Sequence, residues 1–223
     1  MFTGLIETAG TLVWLQPTAG APRLLIAAPA LQGRWRTGDS IAVNGVCLTA
    51  IQAETPGHFA ADLAEETVQR TTLAGLQPGS TLNLELPTPA GSPLGGHVVQ
   101  GHVDGVGTLV SLVPLGADTA TADWRLTLEL PSALGGYVLQ QGSITIDGIS
   151  LTVAKRHAPT PDGRLRLEVA VIPHTYRSTH LHTLAPGALL NIETDVLARY
   201  AAQAIGSPQQ DWLTAEYLLA NGY

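Results

Sequence analysis

The chain is short of charge, of lysine, of cysteine and of long apolar runs, and each shortage excludes something. Of its 223 residues only 13% are charged, and the formal net charge is −7. Lys155 is the only lysine, and the arginines are scattered. No basic stripe is available for nucleic acid or for an anionic membrane surface. A small uncharged or anionic metabolite stays open, because a local pocket need not follow the global charge. The single cysteine, Cys47, excludes an intrachain disulfide and favours a reducing compartment. No apolar run approaches the length of a membrane span. The start, MFTGLIETAG, has no basic segment and carries Glu7, so it does not read as a signal peptide. The expectation is a soluble cytoplasmic protein. What the chain does have is 24 Gly and 15 Pro spread along it, pointing to many turns and short strands. Its length suits one large or two small domains with a real core.

The chain repeats itself. FTGLIETAGTLVWL at 2–15 returns as VQGHVDGVGTLVSL at 99–112, with Gly4 opposite Gly101. GDSIAVNGVCLTA at 38–50 returns as QGSITIDGISLTV at 141–153, where Asn44 becomes Asp147 and Cys47 becomes Ser150. ETVQRTTLAGLQPGSTLNLE at 66–85 matches HTYRSTHLHTLAPGALLNIE at 174–193 without a gap. Three collinear matches are not chance among Gly-rich strand ends. A period this long is foreign to solenoids, so it means a duplicated domain. The seam falls in PTPAGSPLGG at 87–96, which divides the chain into units 1–96 and 97–194 and a tail 195–223.

Within each copy the pattern is β. LLIAA at 24–28, SIAV at 40–43, LNLEL at 82–86, WRLTLEL at 124–130, SITI at 143–146 and LRLEVAVI at 165–172 read as strands. Asn44-Gly45 and Asp147-Gly148 lie between such runs and supply the positive φ of tight hairpins. About six strands per copy, joined by turns, predict a small closed antiparallel barrel without exposed edges. A helical turn is expected at ETVQRTTL and its partner, capped by Thr and Glu. The tail differs: 195–205 and 211–223 are helix-like, broken by Ser207-Pro208. Trp212, Leu213, Tyr217 and Leu218 would share a face, which predicts subunit association.

The motifs MFTGLIE, GDSIAVNGVCLT, GGHVVQGHVDGVG at 95–107, IDGISLTV at 146–153 and IPHT at 172–175 followed by LNIETD resemble those of riboflavin synthases of the α-chain type, from Met1 to about Tyr200. That resemblance implies an all-β fold of two homologous six-stranded antiparallel Greek-key barrels in tandem plus a C-terminal α-helix. It implies a homotrimer, with the helix aiding trimerisation and each site shared between the first barrel of one subunit and the second barrel of another. The implied reaction converts two molecules of 6,7-dimethyl-8-ribityllumazine into riboflavin and 5-amino-6-ribitylaminouracil by four-carbon transfer, with no metal or organic cofactor. A lumazine synthase is a candidate partner. Such a reaction makes sense of duplication: two identical reactants need two similar facing pockets, and apposition removes several kcal/mol of barrier. Donor and acceptor behave differently, so identical pockets would be the wrong design.

The resemblance also nominates residues. Ser40, Cys47 and His102 match the family's positions for moving protons and holding a nucleophile at C7 of the lumazine ring. An imidazole titrates near neutrality, which suits His102 as proton shuttle. Ser40 and Cys47 position or activate a nucleophile, hydroxide or the thiol itself. Outside the motif, a lone Cys reads as a small buried hydrophobe and a lone Ser before a strand as a turn residue. Phe2 and Thr3 are expected to reach the site. For the pteridine edge, with its alternating donors and acceptors, the repeats nominate paired elements. These are Gly4, Leu5 and Ile6 with Gly101, His102 and Val103, and Cys47, Leu48 and Thr49 with Ser150, Leu151 and Thr152. The third pair sets Asp62, Leu63, Ala64, Glu65, Glu66 and Thr67 beside Ala170, Val171, Ile172, Pro173, His174 and Thr175. Asp62 suits the ribityl hydroxyls of the first pocket, and Asp147 those of the second. The family commonly has Lys where this chain has Gln141, which donates a hydrogen bond without charge. Its Thr-Asn is here Thr71-Thr72, a neutral change in capping.

Three rivals are weaker. A non-catalytic lumazine or flavin binder shares the double barrel but typically lacks the Ser, Cys and His set. A metal enzyme using His174, His180 and His182 would exploit His-x-His on one strand face, but His180 and His182 fall where the first copy has Thr72 and Ala74, outside the shared motif. A flavin reductase barrel would be followed by a Gly-rich nicotinamide-binding domain.

Overall fold

The computed structural model of the chain describes residues 1–18 and 20–206. Two sets of short strands follow one another. The first comprises β1 (Thr8–Gln16), β2 (Arg23–Ala27), β3 (Ser40–Val43), β4 (Val46–Thr49), β5 (Ile51–Gln52), β6 (His58–Asp62) and, after helix α1 (Glu65–Arg70), β7 (Thr81–Glu85). The second comprises β8 (Gly105–Pro114), β9 (Trp124–Leu130), β10 (Ser143–Ile146), β11 (Ile149–Arg156), β12 (Leu165–Val171) and, after α2 (Pro173–Ser178), β13 (Leu189–Thr194). Helix α3 (Val196–Gly206) follows. The helix expected at 211–223 lies outside the described residues.

The second set closes into a barrel in the order β10-β11-β12-β9-β8-β13. The first has the order β4-β3-β7-β1-β2-β6-β5. Its end strands β4 and β5 are one run of chain interrupted at Ala50, so the ring has the same six positions. Ala50 leaves the ladder because its N–H bonds to Asp39 O (2.8 Å) and its carbonyl accepts from Gly38 N–H (2.9 Å). Val153 makes the same bonds to Gly142 and Gln141, but there the strand runs on with a bulge between Val153 and Lys155. Gln141, in the place of Gly38, takes φ 64°.

Alternation fills both interiors. Trp124, Leu126, Leu128 and Leu130 of β9 face Leu165, Leu167, Val169 and Val171 of β12, all buried. Leu24, Ile26, Ile41, Val43, Leu48, Phe59, Leu82 and Leu84 fill the first barrel. Burying each such side chain contributes about 1.5–3 kcal/mol. The hairpins β3–β4 and β10–β11 turn on Asn44 (φ 44°) and Gly45 (φ 76°), and on Asp147 (φ 44°) and Gly148 (φ 81°). Two successive positive φ angles match the right-handed strand twist. The helical turns depart from expectation at their starts, where Ala64 and Ile172 offer no side-chain cap. The threonines act at the other end: Thr71 and Thr179 hydroxyls donate to the carbonyls of Thr67 and Thr175, both at 2.7 Å.

A pseudo-twofold joint couples the barrels. Gly45 and Gly148 meet so closely that a Cβ on Gly45 would stand 2.6 Å from Gly148 N. Asn83 donates to Asp147 O and Asn191 to Asn44 O, both at 2.9 Å. In return Asn83 accepts from His180 N–H and Asn191 from Thr72 N–H, both at 2.8 Å. Buried amides this fully satisfied fix the relative placement of the two copies. Phe2 and Val99 exchange backbone bonds of 2.8 and 3.1 Å on the same pseudo-axis. From that bridge the two loops cross over. Ile6 seats on the second barrel's core and Val103 on the first's.

Candidate active site

The crossed loops make the pockets. On β4 the side chains of Val46 and Leu48 enter the core, so Cys47 and Thr49 point outward. Across that outer face lies Gly101, whose carbonyl accepts from Cys47 N–H at 2.9 Å. Gly101 takes φ +79°, and a Cβ there would stand 2.6 Å from Cys47 Cβ, so only glycine allows the approach. The result is a pocket of about 340 Å³ walled by β4, α1 and the loop 101–104. Cys47, Ala64, Glu66, Thr67, Gly101, His102 and Val103 line it, seven of the residues nominated from sequence. Cys47 is half-buried and His102 exposed. Among the described residues neither the thiol nor the imidazole has a hydrogen-bond partner, so both are available to a ligand.

The other nominees fall in several places. Ser40 pairs with Thr49 across β3 and β4, further along the outer face and outside the pocket wall. Phe2 is fully buried and packs with Ala42 and Val99 against Cys47, supporting the site from behind. Thr3 is buried and donates to Glu85 through its N–H (2.6 Å) and hydroxyl (2.7 Å). Leu48, Leu63, Leu151 and Val171 face the cores, which leaves only their backbone for a ligand. Asp62 is ion-paired to Arg23 at 2.6 and 2.8 Å, and that partner holds its carboxyl below the usual range. Glu65 starts α1 on the exposed side. Gln141 is exposed on its turn.

Around the second barrel the geometry repeats with different groups. Ser150 N–H donates to Gly4 O at 2.8 Å, and a Cβ on Gly4 would meet Ser150 Cβ at 2.6 Å. Thr152, Ala170, Ile172 and His174 are exposed and Thr175 half-buried, with Pro173 opening α2 and Leu5 exposed on the crossing loop. Here the Ser150 hydroxyl is already engaged, 2.7 Å from His97 Nδ1, whose Nε2 lies 3.1 Å from Thr145 Oγ1. Burial pushes the His97 imidazole below its ordinary range, opposed by the Asp195 carboxylate.

Two expectations are corrected. Asp147 is held by protein partners at the joint instead of standing beside Ser150 on the outer face. Its Oδ1 accepts from Asn191 N–H at 2.7 Å and its Oδ2 sits 3.1 Å from His180 Nε2, both side chains being almost fully buried at the joint. The histidines 180 and 182 lie on a 3₁₀ turn rather than a strand, and they diverge. His180 turns to Asp147 while His182 Nδ1 bonds to Thr179 O at 2.7 Å.

Residues the motifs did not single out complete the pocket wall, as Asp104 and Arg199 do, or stand behind it. Asp104 Oδ2 accepts from Thr194 N–H (2.8 Å) and hydroxyl (2.6 Å), and its Oδ1 from Arg199 of α3 (2.8 Å). Glu85 ends β7, Glu193 is next to last in β13, and both are buried. The signal that finds them is their identity in LNLE and LNIE, since a carboxylate kept in both copies at a strand end has a shared task.

The model of the lumazine binding domain matches residues 3–87 and again 100–195. A riboflavin synthase of Mycobacterium tuberculosis is 42% identical over 208 residues, covering 93% of this chain and 99% of that one. A riboflavin synthase of Bacillus amyloliquefaciens is 35% identical over 227 residues, covering all of both. The crystal structure of LumP complexed with 6,7-dimethyl-8-(1'-D-ribityl) lumazine superposes with a TM-score of 0.73 at 22% identity, covering 87% of this chain and 99% of that one. At that identity the likeness speaks for the fold alone.

Proposed function

Because the chain belongs to the lumazine-binding domain family and, along its length, to the riboflavin synthases, we infer that it joins two molecules of 6,7-dimethyl-8-ribityllumazine. One gives a four-carbon unit to the other, leaving riboflavin and 5-amino-6-ribitylaminouracil. The observation that carries the reading is the pocket in which Cys47 and His102 come together across a glycine contact between the two copies. A C7 methyl group of the bound lumazine is acidified by the ring, which takes up the charge. The imidazole of His102 accepts that proton, and the outward thiol of Cys47 serves the electrophilic C7 as nucleophile or as its positioning group. Backbone groups along β4 and the crossed loop meet the donor and acceptor edge of the ring.

The pocket is open, and α3 presents Leu197 and Tyr200 largely exposed. An apolar helical face beside an open site suits a second subunit, so the working unit is a homotrimer with each site completed by a neighbour's second barrel. No helix among the described residues is long and apolar enough to cross a membrane. The reducing compartment favoured by the lone cysteine is the cytoplasm, where a lumazine synthase is the candidate supplier of substrate. The test is to incubate the purified protein with the dimethyl-ribityllumazine alone and follow riboflavin fluorescence. Turnover without any added second substrate is expected, and a well-folded protein that binds lumazine without turnover is a binder instead.

A further inference from the structure

Each crossed loop is held from behind by one buried carboxylate. Glu193 is 3% exposed. Its Oε1 accepts from Gln100 N–H at 2.7 Å, and its Oε2 accepts from the N–H groups of Gly101 at 3.0 Å and His102 at 3.1 Å. Glu85 does the same for the other loop, accepting from Thr3 and, at 3.1 Å, from Gly4 N–H. Three charge-assisted bonds to successive amides fix a loop far more firmly than neutral ones. They also fix it where its backbone turns through Gly101 onto Cys47. Carboxylate, amides of 100–102 and the Cys47 N–H thus form one unbroken chain of contacts.

We propose that Glu193 is a positioning residue for the reaction, setting His102 against Cys47 through the backbone of the crossed loop and so tying the first-barrel pocket to the last strand of the second barrel. The assignment rests on the reading that this pocket is the reacting one. Glu85 is the built-in comparison, because its task in the fold is equal but its loop carries Thr3, Gly4 and Leu5 instead of a histidine. Burial also pushes the Glu193 carboxyl up to about 7, helped by the neighbouring Asp104 carboxylate and opposed by the three amides. The titratable and charged groups around it are Asp104, the Arg199 guanidinium that pairs with Asp104 from α3, and the His102 ring at the loop's end. A protonated carboxyl makes weaker, uncharged bonds to the three amides, so the loop is held less firmly in acid even though the proton relieves the cost of burying the charge.

The experiment compares Glu193→Gln, Glu193→Asp and Glu85→Gln with the wild-type chain, reading kcat and KM for the lumazine, riboflavin affinity and melting temperature. Displacing a reacting group by a fraction of an ångström to one ångström costs about 10-fold or more, so Glu193→Gln is expected to lose that much in kcat, with KM and riboflavin affinity within about threefold. Its melting temperature is not lowered, its kcat varies less between about pH 6 and 8 than the wild type's, and Glu193→Asp recovers part of kcat. Glu85→Gln acts on KM more than on kcat. A Glu193→Gln protein with kcat near wild type overturns the proposal, as does a loss that only tracks a lowered melting temperature or is matched by Glu85→Gln. If the wild-type protein itself makes no riboflavin, the functional reading fails first and takes this assignment with it.

Discussion

The two barrels have one frame and two different linings. Facing the first barrel, Cys47 and His102 share a pocket with no side-chain partners among the described residues. Facing the second, Ser150 is bonded to His97, and His97 to Thr145. Both places are built by the same devices: a positive-φ glycine lying on a β-hairpin, a carboxylate behind the loop, and an asparagine reaching across the joint. The difference teaches that duplication preserved the backbone contacts and let the side chains on them diverge. One site keeps reactive groups unengaged, and the other keeps them ordered. That is the asymmetry a reaction between two identical molecules requires, since one must give and the other receive.

The largest expected effect concerns the carboxylates. The Glu193 carboxyl titrates at about 7 in the folded chain against an ordinary value of 4.5. Between those two pH values the folded chain therefore holds a proton that the unfolded chain has released. The stability this group contributes is full below about pH 4.5 and is lost as the pH rises through 7, by about 3 kcal/mol at roughly 1.4 kcal/mol per pH unit. Glu85 is raised for the same reason and adds in the same direction. Denaturant midpoints of wild type and Glu193→Gln, measured from about pH 4.5 to 8, are expected to diverge by that amount, the variant being the flatter. Parallel curves would mean that burial at the joint does not hold a proton on Glu193.

Substituting the unengaged groups tests the chemistry. His102→Gln keeps the exposed loop and removes the imidazole proposed as proton carrier, so kcat is expected to fall about 100-fold, the usual worth of a general acid–base group. Cys47→Ser preserves the contact with Gly101 and is expected to fold normally and lose about 10-fold or more of the rate, given the weaker nucleophile. Riboflavin formation followed by fluorescence decides both. A Cys47→Ser protein with the wild-type rate would exclude a catalytic thiol and make the two linings equivalent.

Much of this was legible in the repeat, and the reasons for the rest are physical. Strands and the Asn44-Gly45 and Asp147-Gly148 turns are local, so composition and spacing carry them. The meeting of Cys47 and His102 was legible only through the family motif, because it joins positions distant in the chain. Asp147 misled because a carboxylate beside a glycine reads the same whether it faces solvent or a buried histidine. The break of the first barrel at Ala50 rests on two bonds to residues 38 and 39, which no strand propensity registers. Glu193 was passed over because strand-end glutamates are ordinarily solvated, and only the crossed loop turns this one into an anchor.

The smallest effect should come from the engaged side. The His97 ring spans two hydroxyls, Ser150 Oγ and Thr145 Oγ1, with one nitrogen accepting and the other donating. Burial favours its neutral form, which is the form that can do both. Its task in this geometry is to fix the Ser150 hydroxyl in the second lining, not to carry a proton of the reaction. Replacing it by Gln leaves one of these bonds unmade, worth about 1 kcal/mol, so KM is expected to rise about fivefold while kcat changes by less than about twofold. Steady-state kinetics on His97→Gln and His102→Gln side by side put the contrast between the linings to its hardest test. A kcat loss at His97 as large as that at His102 would show that the second barrel moves protons too, and the division into a reacting and an ordered site would fall.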